Sequence, residues 1–167
     1  MLEALDVRIR EANEEDLPAL EWEGEFIRFR RLYQQAMEET KKGRRVILVA
    51  ELNDQVIGQL FVNFHSTWRN NFFDQHAGYL HSFRVKPDFR NLGVGRNLIL
   101  KAESLLKERG YKRAVISVAQ RNDAAMRLYQ SLGYAVFRED PGRWSFMDHN
   151  NQVQHVIEPA YILRKSL

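Results

Sequence analysis

Arg90, Asn91, Leu92, Gly93, Val94, Gly95 and Arg96 stand between a strand-like run, residues 79–85, and a helix-like run from about 96 to 108. Glycine carries no Cβ, so a backbone holding two of them lets a ligand come close. The first turn of a helix leaves N–H groups without intrahelical partners, and its macrodipole adds partial positive charge. Together these make a seat for phosphate, and Arg90 and Arg96 flank it with permanent charge. The chemistry expected is diphosphate binding. A dinucleotide fingerprint is excluded, because Leu98 stands where its third glycine belongs. A Walker-type loop is excluded as well, because Gly95 is followed by Arg96 and Asn97 rather than Lys and Ser or Thr.

A second constellation lies downstream. Asn122 is a fair helix N-cap, Ala125, Leu128, Tyr129 and Leu132 share one helical face, and Gly133 closes the helix before Tyr134 opens a strand. Taken together, Val85-x-Pro87-x-x-Arg90-x-x-Gly93-x-Gly95 and Asn122-x-x-Ala125-x-x-Leu128-Tyr129-x-x-Leu132-Gly133-Tyr134 resemble the GCN5-related N-acetyltransferases. The match is close over residues 79–137 and only a matter of pattern in the N-terminal third. Members of that superfamily transfer acetyl from acetyl-coenzyme A to amines.

The resemblance implies roles for particular residues. Tyr129 lies near the coenzyme sulfur as a proton donor for the departing thiolate, and Asn122 contacts the coenzyme arm. The backbone of Phe83, Arg84 and Val85 forms the pantetheine-binding edge, one N–H polarising the thioester carbonyl. The bland alternatives are a core aromatic for Tyr129 and a helix cap for Asn122. Some relatives carry a glutamate as general base where this chain has Ser117, which cannot serve. His81 and Glu51 are the remaining side-chain candidates, many relatives using only a water chain instead, and strand alternation puts His81 on one face with Phe83 and Val85. An ordinary imidazole near pKa ~6.5 suits removal of an ammonium proton.

For the acceptor, Trp68, Phe72 and Phe73 lie in a stretch with no strand or helix period, suited to an acceptor wall, a lid, a homodimer patch or simple packing on the sheet. Trp22, Glu23, Glu25 and Phe26 lie where the family shapes its acceptor pocket. Their carboxylates suit a cationic amine, or else a solvated helix face. Trp144 and Phe146 are the other aromatic pair, fit for cleft or core. The five histidines are scattered, so no metal site is expected.

The elements that must hold these residues follow from apolar periodicity. Residues 7–10 read as a strand, Asn13 and the acidic residues after it introduce a helix through Leu17 and Leu20, and 26–39 is an amphipathic helix. Residues 45–52 and 56–64 are hairpin strands about a turn at Asn53, Asp54 and Gln55. Residues 113–119 are a strand, and 134–138, 144–148 and 153–163 are strands in the tail, with a turn at 149–152. The fold expected is α/β: a single domain over residues 1–167, with a mixed, mostly antiparallel sheet, a parallel splayed central strand pair and flanking helices.

Composition sets bounds. The chain has 167 residues, 44% hydrophobic, enough for a substantial core. It has no cysteine, which excludes disulfides, thiolate metal sites and a cysteine acyl-enzyme. No apolar run approaches a membrane span, and the N-terminus lacks signal-peptide order, in keeping with the cytoplasm. The charge of +3 is spread, with no basic patch for nucleic acid. The function expected is acetyl-coenzyme A-dependent N-acyl transfer to a small-molecule or peptide primary amine by direct attack. The alternative is a non-catalytic acyl-coenzyme A-binding regulatory module.

Overall fold

Val46, Ile47, Leu48, Val49 and Ala50 form an unbroken apolar run, and all five are buried because both faces of their strand are covered. The computed structural model describes residues 6–64 and 75–167. In chain order the strands are β1 (Arg8–Glu11), β2 (Arg45–Leu52), β3 (Gln55–Asn63), β4 (Ala77–Val85), β5 (Arg113–Ala119), β6 (Ala135–Asp140), β7 (Arg143–Met147), β8 (Val153–Ile157) and β9 (Ala160–Ser166). The helices are α1 (Arg30–Lys41), α2 (Val94–Glu108) and α3 (Asp123–Ser131). The main sheet runs β1-β2-β3-β4-β5-β9-β6, antiparallel throughout except for the β4–β5 pair. This is the mixed, mostly antiparallel sheet with one parallel central pair that the sequence leads one to expect. β7 and β8 form a separate two-stranded arm.

Each face of the sheet has its own core. On one, Tyr33, Ala36 and Met37 of α1 and Leu20 pack on Ile47, Val49 and Phe61. On the other, Leu98, Ile99, Ala102 and Leu106, one stripe of α2, pack with Tyr129 of α3 on Leu48, Leu60, Leu80 and Ile116. A buried polar cluster ties α2 to the far strands: Glu103 accepts from the Tyr134 hydroxyl at 2.9 Å and from Lys165 Nζ at 2.8 Å.

Three elements differ from the sequence expectation. The segment after Asn13 begins with the expected cap, Asn13 accepting from Glu15 N–H and Asp16 accepting from Asn13 N–H. It then winds as a 3₁₀ helix, Glu14–Gly24, with Pro18 inside and Trp22 and Glu23 in left-handed conformations. The next helix is also shorter than 26–39, because Ile27–Phe29 is a 3₁₀ turn and α1 begins only at Arg30. The tail strand 153–163 is two strands. Pro159 has no N–H to continue a ladder, so the chain leaves the arm after β8 and enters the main sheet as β9 between β5 and β6.

Candidate active site

Past β4 the chain makes a short 3₁₀ turn, Pro87–Phe89, and Arg90 Nε donates back to the Val85 carbonyl at 2.8 Å. Asn91 and Gly93 take left-handed conformations, with φ of +62° and +86°, which reverse the chain into α2. Gly93 is the N-cap and no side chain caps this helix. Asn97 N–H donates to the Gly93 carbonyl at 3.0 Å, so the N–H groups of Gly93, Val94, Gly95 and Arg96 have no intrahelical acceptor. Asn91, Leu92, Gly93 and Arg96 are exposed around them, while Val94 is buried as an anchor. Gly95 has a reason of its own, because a Cβ there would lie 2.7 Å from the Phe83 ring. The protein demands that glycine before any ligand does.

β4 and β5 pair only over Ala77–Leu80 and Arg113–Ile116, then part. The remaining edge of β4, which carries Phe83, Arg84 and Val85, has no strand partner on the β5 side. Tyr129 sits behind it, its ring 6.0 Å from Phe83 and 6.3 Å from Tyr134. Burial drives its phenol pKa well above the ordinary value, with the Tyr79 phenol adding to the effect. Tyr129 therefore stays protonated through the neutral range and can only donate there. Asn122 Oδ1 accepts from Ala125 N–H at 3.1 Å and caps α3, leaving its amide NH₂ on the exposed surface.

Opposite α2, a cleft of about 680 Å³ opens on the α1 face, within the usual size of a small-molecule site. Phe29 and Tyr33 from the α1 side form one wall and Trp144 and Asp140 of the arm side another, with Phe61, Tyr79 and His81 on the floor. Ser82 and Ser117 border it where β4 and β5 part.

His81 departs from expectation in two respects. Ser82 has a φ of +55°, and the β3–β4 register shifts between Gln59 and Phe61, so β4 carries a bulge immediately after His81. The extra residue inverts the alternation. Phe83 and Val85 face α2, whereas His81 faces the cleft, stacked on Tyr79 at 5.2 Å and edge-on to Phe61 at 5.3 Å. Burial, aided by the Arg45 guanidinium, pushes its pKa down to about 3 rather than leaving it near the ordinary range. The neutral ring accepts from Arg45 Nη1 through Nε2 at 3.4 Å, which assigns the proton to Nδ1, 3.0 Å from Ser82 Oγ. So weak a base offers little drive for taking an ammonium proton. Glu51 is no substitute, since it is held by Arg10 at 3.2 Å and does not line the cleft.

The acceptor residues read from sequence are only partly at the cleft. Trp22 is buried, edge-on to Phe26 at 5.0 Å, with its Nε1 enclosed and unpartnered; neither it nor the exposed Glu25 lines the cleft. Phe26 reaches it indirectly, under the Arg84 guanidinium at 4.1 Å. Trp68 and Phe72 lie outside the described residues. Sequence reasoning missed Arg45, Arg143, Asp140 and Glu158, all of which line the cleft. Arg45, a charge at the head of an apolar strand, was the one visible signal. Among the described residues, no group of three His, Cys, Asp or Glu side chains is suited to a metal ion, and no helix is long and apolar enough to cross a membrane.

Comparison with known proteins adds to this geometry. The model of the acetyltransferase (GNAT) family matches residues 7–134. An uncharacterized N-acetyltransferase of Methanocaldococcus jannaschii is 32% identical over 94 residues, 56% of this chain and 41% of that protein. The chain spans about half the length of the curated relatives it matches. Among solved structures, an N-acetyltransferase from Staphylococcus aureus Mu50 superposes with a TM-score of 0.75 at 18% identity, covering 96% of this chain and 98% of that one. The PaiA N-acetyltransferase from Thermoplasma acidophilum in complex with coenzyme A gives 0.68 at 17% identity, covering 98% and 100%. At these identities the structural likeness speaks for the fold.

Proposed function

Because this chain belongs to the GNAT family of acetyltransferases, we propose that its 167 residues form one enzyme domain that moves an acetyl group from acetyl-coenzyme A to a primary amine. The observation that carries this reading is the parting of β4 and β5 between an uncapped helix N-terminus on one face and the cleft on the other.

The N–H groups of residues 93–96 hold the coenzyme diphosphate, Arg96 lies beside them, and Arg90 stiffens the loop by its bond to Val85. The Phe83–Val85 edge binds the pantetheine arm, Asn122 offers its exposed amide to the same arm, and a backbone N–H of β4 polarises the thioester carbonyl. The amine enters through the α1-face cleft and reaches the acetyl carbon where the strands part. Tyr129 holds a proton at its hydroxyl oxygen for the departing thiolate. The amine gives up its own proton to water in the cleft, because His81 is too weakly basic and Ser117 cannot serve. The absence of cysteine from the sequence favours direct attack over a thiol acyl-enzyme.

Acetyl-coenzyme A labelled at the acetyl carbon tests this when incubated with the protein and a panel of primary amines. The label is expected on an amine and none on the denatured protein. Label held by the protein would overturn direct attack. Label left on the coenzyme with every amine, while the coenzyme still binds, would favour the non-catalytic binding module.

A further inference from the structure

Arg45 is the unusual cation of this molecule. It opens β2 opposite Asn63 and lines the cleft, where its Nε is buried with no hydrogen-bond partner. One of its N–H groups goes to His81, which is neutral and offers no counter-charge. No carboxylate lies within ion-pair distance of Arg45 among the described residues. The one whose field reaches it, Glu39, is held by Arg44 at 3.5 Å. Elsewhere several arginines are paired with carboxylates even at the surface: Arg10 with Asp16 and Glu51, Arg30 with Glu21, and Arg121 with Glu158. Arg84, the other cation of the floor, is already engaged, donating to the Tyr33 hydroxyl at 2.8 Å and stacking on Phe26.

A half-buried guanidinium without a counter-charge is costly, and burial lowers the pKa of Arg45 accordingly. The Arg45 side chain lines a cavity with aromatic walls from Phe29, Tyr33 and Trp144. The opposite wall carries both signs, Asp140 and Glu158 with Arg143, but Asp140 accepts from Gly142 N–H at 3.0 Å and Glu158 pairs with Arg121. We propose that the acceptor amine also bears a carboxylate, seated on Arg45, and an apolar body lying against the aromatic wall. The planar fork of arginine matches a carboxylate with two parallel bonds, which a lysine cannot reproduce. This reading rests on the cleft being the acceptor side. It reverses the charge expected from Glu23 and Glu25, because Arg45 lines the cleft with no carboxylate partner among the described residues.

Coenzyme A-loaded protein is titrated calorimetrically with 3-phenylpropanoate and with 3-phenylpropanamide, which share a body and differ in charge. The carboxylate is expected to bind about tenfold more tightly or better, as a charge-assisted pair implies. Arg45→Met should reduce that advantage to within about twofold, and Arg45→Lys should retain only part of it. Equal affinities, preference for the amide, no binding of the carboxylate, or an advantage that survives in Arg45→Met would each overturn the seat. If Arg45→Met does not fold, Arg45→Lys decides: an advantage as large as in the wild type overturns the proposal. The preceding titration with coenzyme A reads the coenzyme site on its own, so failure there is recognisable as failure of the acetyltransferase reading.

Discussion

A single inserted residue decides what His81 can do. Without the bulge at Ser82 the imidazole and Phe83 would share one face; with it, Phe83 faces α2 while the ring is walled by Tyr79, Phe61 and Arg45 and kept neutral. The consequence can be read as stability. The unfolded chain takes up the His81 proton near pH ~6.5, whereas the folded protein does so only near 3. The folded pKa is the depressed one, so its contribution is complete above the unfolded value and is lost as pH falls through the interval toward the folded value. Unfolding midpoints measured between pH 7 and 4 should fall more steeply for the wild type than for His81→Gln, by up to about one proton per molecule. Parallel curves would mean that His81 titrates normally in the fold.

The two helices of the α2 face begin in contrasting ways, and the contrast tests the coenzyme arm. α3 is capped by Asn122, whereas α2 has no side-chain cap. Asn122→Ala should cost about 1 kcal/mol as a lost N-cap, visible as a lower melting temperature. Asn122→Asp keeps the accepting oxygen and so the stability, but removes the amide donor and puts negative charge beside an anionic ligand. Its affinity for acetyl-coenzyme A should fall several-fold; unchanged affinity would leave Asn122 a cap alone. Features like these are legible in sequence because they are local. β5 spans Arg113–Ala119 as its apolar pattern indicates, and Gly110 and Gly133 close their helices at positive φ. The features that could not be read depend on the partner or on rare conformations. Serine seldom adopts the left-handed φ that Ser82 takes, and nothing in the run 153–163 except Pro159 separates arm from sheet. The cleft brings Arg45 of β2 to Trp144 of β7, a juxtaposition no spacing rule contains.

At the scale of the molecule, α2 must be fixed to the distal strands for the parting of β4 and β5 to keep its width. Glu103, buried between Tyr134 and Lys165, provides that tie. Glu103→Leu strands the Lys165 charge and the Tyr134 hydroxyl, and should lower stability by about 3 kcal/mol in denaturant unfolding. Adding Lys165→Met should recover part of the loss, whereas strictly additive losses would show that the groups do not act together. We propose that the parted strands let an amine on one face reach a thioester on the other, with Tyr129 giving its proton to the departing thiolate. The most direct test is the rate of thiol release from acetyl-coenzyme A across a panel of primary amines, for the wild type and Tyr129→Phe. Release should require an amine, and Tyr129→Phe, which keeps the ring and its packing, should slow it by about 10²-fold with coenzyme affinity little changed. Tight binding of acetyl-coenzyme A with no amine-dependent thiol from any member of the panel would contradict it.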